Sequence, residues 1–418
     1  MSVTSDVTNS VTSPEAHPIH LDDYIPLIGA PEVDELRALA AQLSGRTVQM
    51  VNSTPTGGGV AEILNRLIPL MQELGLHPRW DVLTGGRDFF EVTKAFHNAL
   101  HGDPYQPRKE HFDLFLATTE QNCRRLHFDC DFTVIHDPQP LPLIEARAKH
   151  EGHWIWRCHI DLSHPNPEVW SFLRPFVYRY DASLFSSPSF ARQLSIPQYL
   201  FYPCIDPLSD KNVEIDAESQ RSVLEHFGID PARPIILQVS RFDRLKDPVG
   251  VVHAYQIVKR YTDCQLVLAG GSAIDDPEGE VVFEEVQRAA NGDPDIHALN
   301  LPPWSAFEIN ALQRASTVIV QKSLREGFGL TVTEGLWKKK PVVASAVGGI
   351  PAQIIHKHTG LLAHSIEGTA YQIRFLLSNP ALAQRLGEQG HEHVREHFLI
   401  TSNVKRYLTI FLNSQCHS

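Results

Sequence analysis

From residue 46 onward, short β-rich runs alternate with segments of helix length, and no other feature restricts the possible folds as strongly. Arg46–Asn52 (RTVQMVN) is the first predicted strand, followed by Gly57-Gly58-Gly59 and a helix pattern over Val60–Leu74. Further strands are predicted at Pro78–Leu83, Phe132–His136, His153–Ile160, Ala182–Ser186 and Tyr199–Pro203. After a polar stretch, Cys204–Glu214 (CIDPLSDKNVE), the pattern restarts at Pro234–Ser240, with a helix at Val249–Tyr261 and a strand at Gln265–Ala269. Asp295–Leu301, Thr317–Gln321 and Pro341–Ser345 continue it. Such alternation specifies βαβ units and parallel sheets. At 418 residues the chain exceeds one ordinary core, since domains run to roughly 100–200 residues. The fold expected is α/β, two Rossmann-like domains facing each other across a cleft. Residues 1–20 read as a tail, 21–205 as the first domain with Leu21–Ser44 as a lead-in helix, and 206–399 as the second. A last helix, within 400–414, is long enough to cross back to the first domain.

Charge excludes several partner classes. The formal net charge is -12 with no basic block, so neither nucleic acid nor an anionic membrane finds a positive footprint. Any phosphate must be held locally, by a few cations and backbone N–H groups. The polar start carries no signal-peptide pattern, no apolar run reaches membrane-spanning length, and the six cysteines show no zinc or disulfide spacing. A soluble cytoplasmic protein with reduced thiols is expected.

Four clusters carry chemistry. In Arg325–Glu334 (REGFGLTVTE), Glu326 and Glu334 flank Gly327, Phe328 and Gly329. With a helix beginning near Leu330, these glycines form its entry turn and let amide groups approach a phosphate. Glu326 then stands where sugar hydroxyls would bind and Glu334 one turn into the helix; alone, the run also fits a helix entry with two solvated glutamates. In Val239–Pro248 (VSRFDRLKDP), Arg241 and Lys246 follow a strand end, the edge at which open α/β sheets bind ligands. Alone, they also fit a surface ion pair. Gly58 and Gly59 lie between a strand and a helix, where a phosphate cradle or a plain tight turn both fit. The ends of two first-domain strands carry His136-Asp137 and His159-Ile160-Asp161. Lys338-Lys339-Lys340 reads as a solvated helix end, and Trp154 and Trp156 as core.

Together these motifs resemble the retaining GT-B glycosyltransferases of family 4. VNSTPTGGGVAEIL, EVTKAFHNALHG, HDPQPLPLIE, WRCHIDLSHPN, QVSRFD and REGFGLTVTE resemble the trehalose glycosyltransferring synthases over nearly the whole chain after residue 20. The resemblance implies reversible synthesis of trehalose from an NDP-glucose and glucose. Arg241 and Lys246 would hold the diphosphate, and Glu326 with the amides of Gly327 to Leu330 the donor sugar. Glu334 would hold the ribose, and His159 the donor glucose near its 6-hydroxyl. Asp137 and Asp161 would lie on the acceptor side, and Gly58 and Gly59 along the phosphate and acceptor region. It implies no tightly bound cofactor, Mg²⁺ at most as a stimulant, and a homodimer as in relatives. Leu299–Trp304 (LNLPPW) departs from the family's glycine-containing turn near the nucleobase, leaving ADP or UDP open, and Arg244-Leu245-Lys246 replaces its Trp-Lys pair. Trehalose phosphorylase, a transferase with another acceptor, and a non-catalytic sugar-nucleotide sensor are the competing readings.

Overall fold

The computed structural model describes residues 19–56, 58–149, 152–271 and 277–415. Most of the expected tail, together with Gly57 and Cys416, lies outside these residues. Strands β1 (Thr47–Asn52), β2 (His77–Val82), β3 (Phe132–His136), β4 (His153–Cys158), β5 (Ala182–Phe185) and β6 (Gln198–Leu200) form one sheet. Strands β7 (Ile235–Val239), β8 (Gln265–Gly270), β9 (Ile296–Asn300), β10 (Val318–Gln321), β11 (Val342–Ser345) and β12 (Leu361–Ala363) form another. Every pairing between these strands is parallel. Central strands such as β7 (IILQV) and β10 (VIVQ) read as nearly continuous apolar runs because parallel sheets are covered on both faces.

The order β2-β1-β3-β4-β5-β6 reverses direction between β1 and β3, and β12-β11-β10-β7-β8-β9 reverses between β7 and β10. At such a reversal neighbouring crossovers run to opposite faces of the sheet, which opens a crevice at the carboxyl edge. The four loops at the two reversals begin at Ser53, Asp137, Ser240 and Lys322, so they contain most of the motifs singled out from the sequence.

Two departures from the sequence reading have simple causes. The lead-in is a 3-10 turn, Leu21–Tyr24, then helices Ile25–Ile28 and Ala30–Ala41. Gly29, at φ 89°, breaks it, and Pro31 follows. Lys338 is 6 % exposed rather than solvated, with its Nζ donating to Asn212 Oδ1 at 2.9 Å. Burial pushes its pKa down to about 7 against the raising influence of nearby Glu334. Trp154 and Trp156 are each 1 % exposed, in the core.

The helix Ile400–Gln415 returns to the first sheet, stacking Phe411 on Phe132 with ring centroids 4.3 Å apart and setting Tyr407 against Phe201. Its start is tied to the segment between the sheets, since Ile400 N donates to Ile205 O and Ile205 N to Phe398 O, both at 2.9 Å. Among the described residues no helix is long and apolar enough to cross a membrane, and no disulfide joins any two of the five described cysteines.

Candidate active site

The loop after β7 is shaped by its own carboxylates. Asp243 accepts from Leu245 N at 2.7 Å, closing the 3-10 turn Arg244–Lys246, and Asp247, at φ 48°, caps the helix Pro248–Lys259 by accepting from Gly250 N at 3.0 Å. Gln238 Nε2 donates to Lys246 O at 3.0 Å, which fixes the lysine's backbone to the strand below. The loop after β10 is fastened alongside it: Leu324 N donates to Leu245 O at 2.7 Å, and Lys322 pairs with Asp247.

These anchors set Lys246 Nζ 2.6 Å from Glu326 Oε2, which also accepts from Ser323 Oγ at 3.1 Å. Glu326 is 7 % exposed. Arg241 projects from the same strand end, half exposed, with a guanidinium nitrogen 3.2 Å from Asp243. Lys246 and Glu326, far apart in sequence, therefore meet, while Arg241 leaves the same strand end and pairs with Asp243 of its own loop.

The glycine-flanked run crosses to the other half of the molecule. A Cβ on Gly327 would lie 2.4 Å from His159 O, so the loop after β10 meets the end of β4 backbone to backbone. Gly329, at φ 83°, is the N-cap of the helix Leu330–Trp337, a left-handed conformation that a side chain would strain. Phe328, between them, is buried against Tyr202 and Phe398. Leu330 packs against Gly59, the first residue of the helix Gly59–Glu73, and Gly58 is that helix's extended N-cap.

Glu334 is buried, 2 % exposed. Its Oε2 accepts from Gln313 Nε2 at 2.9 Å, and its Oε1 lies 3.6 Å from Lys211 Nζ. Lys211, on the segment joining the sheets, also pairs with Glu62 in the Gly59–Glu73 helix. One lysine thus touches carboxylates from both halves.

On the facing edge, Asp137 sits at φ 68° and accepts from His159 N at 2.8 Å, while Trp156 Nε1 donates to its carbonyl at 3.1 Å. Burial raises the Asp137 carboxyl to about 6, opposed by that amide hydrogen bond. His136 Nδ1 and His159 Nε2 are 3.0 Å apart with the rings stacked, so one nitrogen donates and the other accepts. Burial keeps both rings neutral, pushing His136 down to about 3 and His159 well below the usual histidine range. Asp161, 7 % exposed, accepts from Ser163 N at 2.8 Å.

Sequence reasoning missed Ser323, Lys322, Lys211 and Gln313, none of which belongs to a recognisable spacing. It also passed over His97 and His101, whose i, i+4 separation in KAFHNALHG was a usable signal. Among the described residues no cluster of three or more His, Cys, Asp or Glu is arranged to hold a metal ion.

Residues 50–192 match the family model for the trehalose synthase N-terminal domain, and residues 220–393 match that for group 1 glycosyl transferases. A trehalose synthase from Pyrococcus horikoshii is 45% identical over 400 residues, covering 94% of this chain and 96% of that protein. A trehalose phosphorylase from Pleurotus pulmonarius is 28% identical and aligns over 96% of this chain but 62% of its own length. An α,α-trehalose-phosphate synthase (UDP-forming) from Burkholderia xenovorans, solved in complex with glucose-6-phosphate, superposes with a TM-score of 0.70 at 16% identity, covering 88% of this chain and all of that one.

Proposed function

The chain belongs to the trehalose synthase family, and on that premise we propose how its cleft joins the glucose of an NDP-glucose to free glucose, giving α,α-1,1-linked trehalose and the NDP, reversibly. The observation that carries the proposal is the approach of Lys246 Nζ to Glu326 Oε2 at 2.6 Å, where the loop after β10 meets the end of β4 and Arg241 leaves the same strand end as Lys246. The anomeric C1–O bond to the β-phosphate breaks as the acceptor hydroxyl forms its bond on the same face, and the acceptor's proton passes to the departing phosphate oxygen. Charge grows on the diphosphate during that step. Arg241 and Lys246 are placed to stabilise it, each such contact being worth about 2.7–4 kcal/mol. Arg grips two oxygens and Lys acts as a point charge.

In the same proposal Glu326 and the amides of Gly327, Phe328, Gly329 and Leu330 hold the donor hexose, Glu334 the ribose, and His159 the sugar's far side. Asp137 and Asp161 take the acceptor, with Gly58 and Gly59 lining the phosphate and acceptor region. The division is then an acceptor domain, 21–205, and a donor domain, 206–399, with 400–414 returning to the first. Excluding water from this closed region keeps the activated hexose from hydrolysis. Two protein cations already oppose the diphosphate, so Mg²⁺ would only assist. We place the activity in the cytoplasm, where the scattered thiols stay reduced.

The relative that is a phosphorylase gives the second reading its basis. Trehalose incubated with the enzyme and either NDP or inorganic phosphate separates the two. NDP-glucose formed with NDP alone supports the synthase, and glucose 1-phosphate formed with phosphate alone overturns it.

A further inference from the structure

Opposite the loop that carries Arg241 and Lys246 stands a pair of histidines. His97 lies in the last turn of the helix Arg87–Leu100, and His101 follows as its C-cap. Four residues apart, they share a face, with ring centroids 4.7 Å apart. That face is turned toward the other half of the molecule. A Cβ on the next residue, Gly102, would lie 3.1 Å from a terminal nitrogen of Arg325, which immediately precedes Glu326. Arg241 and Lys246 act electrostatically on His97, and Lys246 and Arg325 on His101. His101 is 5 % exposed, and its Nδ1 has no hydrogen-bond partner among the described residues.

We propose that His97 and His101 read the hydroxyls of an unphosphorylated acceptor hexose from the wall opposite the diphosphate cations. The proposal rests on the transferase reading above and deepens it.

Arg241, Lys246 and Arg325 can only donate hydrogen bonds, which suits phosphate oxygens. A sugar hydroxyl must also give its own hydrogen away, and a neutral imidazole offers one accepting and one donating nitrogen. Burial first, then His101 and the cations Arg241 and Lys246, pushes His97 down to about 3 against the raising influence of Asp243, and burial, then Lys246 and Arg325, pushes His101 down to about 4, so both rings keep that accepting nitrogen at neutral pH. One wall is thus chemically matched to an anion and the other to a neutral polyol.

The test uses the full chain with His97→Gln, His97→Ala and His101→Gln, measuring KM for glucose, KM for NDP-glucose and NDP affinity by calorimetry. His97 is only half-buried, so its variants are informative even if His101→Gln does not fold. Losing one sugar hydrogen bond should raise the glucose KM about tenfold in His97→Ala, with the donor KM and NDP affinity unchanged. An amide also donates and accepts, so Gln should recover part of the loss. An unchanged glucose KM overturns the proposal, as does a rise confined to the donor KM. A wild type that prefers glucose 6-phosphate to glucose as acceptor overturns the neutral-sugar reading. Wild-type enzyme that makes no trehalose removes the transferase reading itself, which distinguishes that failure from failure of the histidine assignment.

Discussion

Lys246→Ala should damage activity and stability through two separable effects. The ammonium is 2.6 Å from Glu326 Oε2, and Glu326 is 7 % exposed, so its removal leaves an enclosed carboxylate still accepting from Ser323 Oγ. An enclosed polar group that loses its partner costs about 1–3 kcal/mol. Breaking a fully buried pair costs roughly 3–5 kcal/mol, but the lysine side chain is 20 % exposed, so the lower range applies here. Separately, one cation facing the diphosphate is lost, about 2.7–4 kcal/mol of transition-state stabilisation, or a fall of roughly 10²–10³ in kcat. Adding Glu326→Gln removes the stranded charge, so the double variant should regain thermal stability while remaining inactive. The assay pairs thermal denaturation, with and without NDP, with initial rates of NDP release in the presence of glucose. Saturating NDP at one hundred times Kd should stabilise the wild type by about 2.7 kcal/mol and the variant by less. A variant retaining activity within about tenfold of wild type would refute the assigned role. A double variant that recovers no stability would refute the electrostatic reason.

Asp137 has a folded-state pKa of about 6, raised by burial above the ordinary carboxylate value. Its contribution to stability is therefore present at low pH and lost as pH rises through 6. If the ionised form contacts the acceptor, kcat/KM should fall below pH 6 with a midpoint there, and Asp137→Asn should abolish that midpoint in a pH–rate profile. Gly327→Ala sets a methyl group 2.4 Å from His159 O and must push the two halves apart. Misplacement near 1 Å costs roughly 100-fold in rate, so kcat should drop far more than the melting temperature, and wild-type turnover would show that the approach is dispensable. Lys211→Met removes the cation between Glu62 and Glu334. It should raise KM for NDP-glucose and spare KM for glucose; parallel rises would argue for general loosening of the domains.

The strands were legible because parallel strands are apolar on both faces, and β3 was read from Phe132 to His136 as found. β12 was missed because Leu361–Ala363 is three residues long, too short to show any period. The lead-in was read through its own stop signal, Gly29 with Pro31, since the flanking apolar pattern continued across it. Strand-end placement puts Arg241 and Lys246 on the loop after β7, at the sheet reversal, and Lys246 meets Glu326 there. Their partners were not legible in that way: the Lys246–Glu326 contact spans 80 residues, and Lys211 meets Glu62 across 149. Burial was the weakest part of the reading. A run of three lysines looks solvated, yet Lys338 is carried inward by the helix that also holds Glu334.

A crystal structure of the chain with NDP-glucose measures directly where the sugar nucleotide lies. The diphosphate should lie within hydrogen-bond distance of both Arg241 and Lys246, the hexose hydroxyls on Glu326, and the ribose on Glu334. Phosphates bound away from both cations, or a hexose in contact with neither half's strand ends, would contradict it.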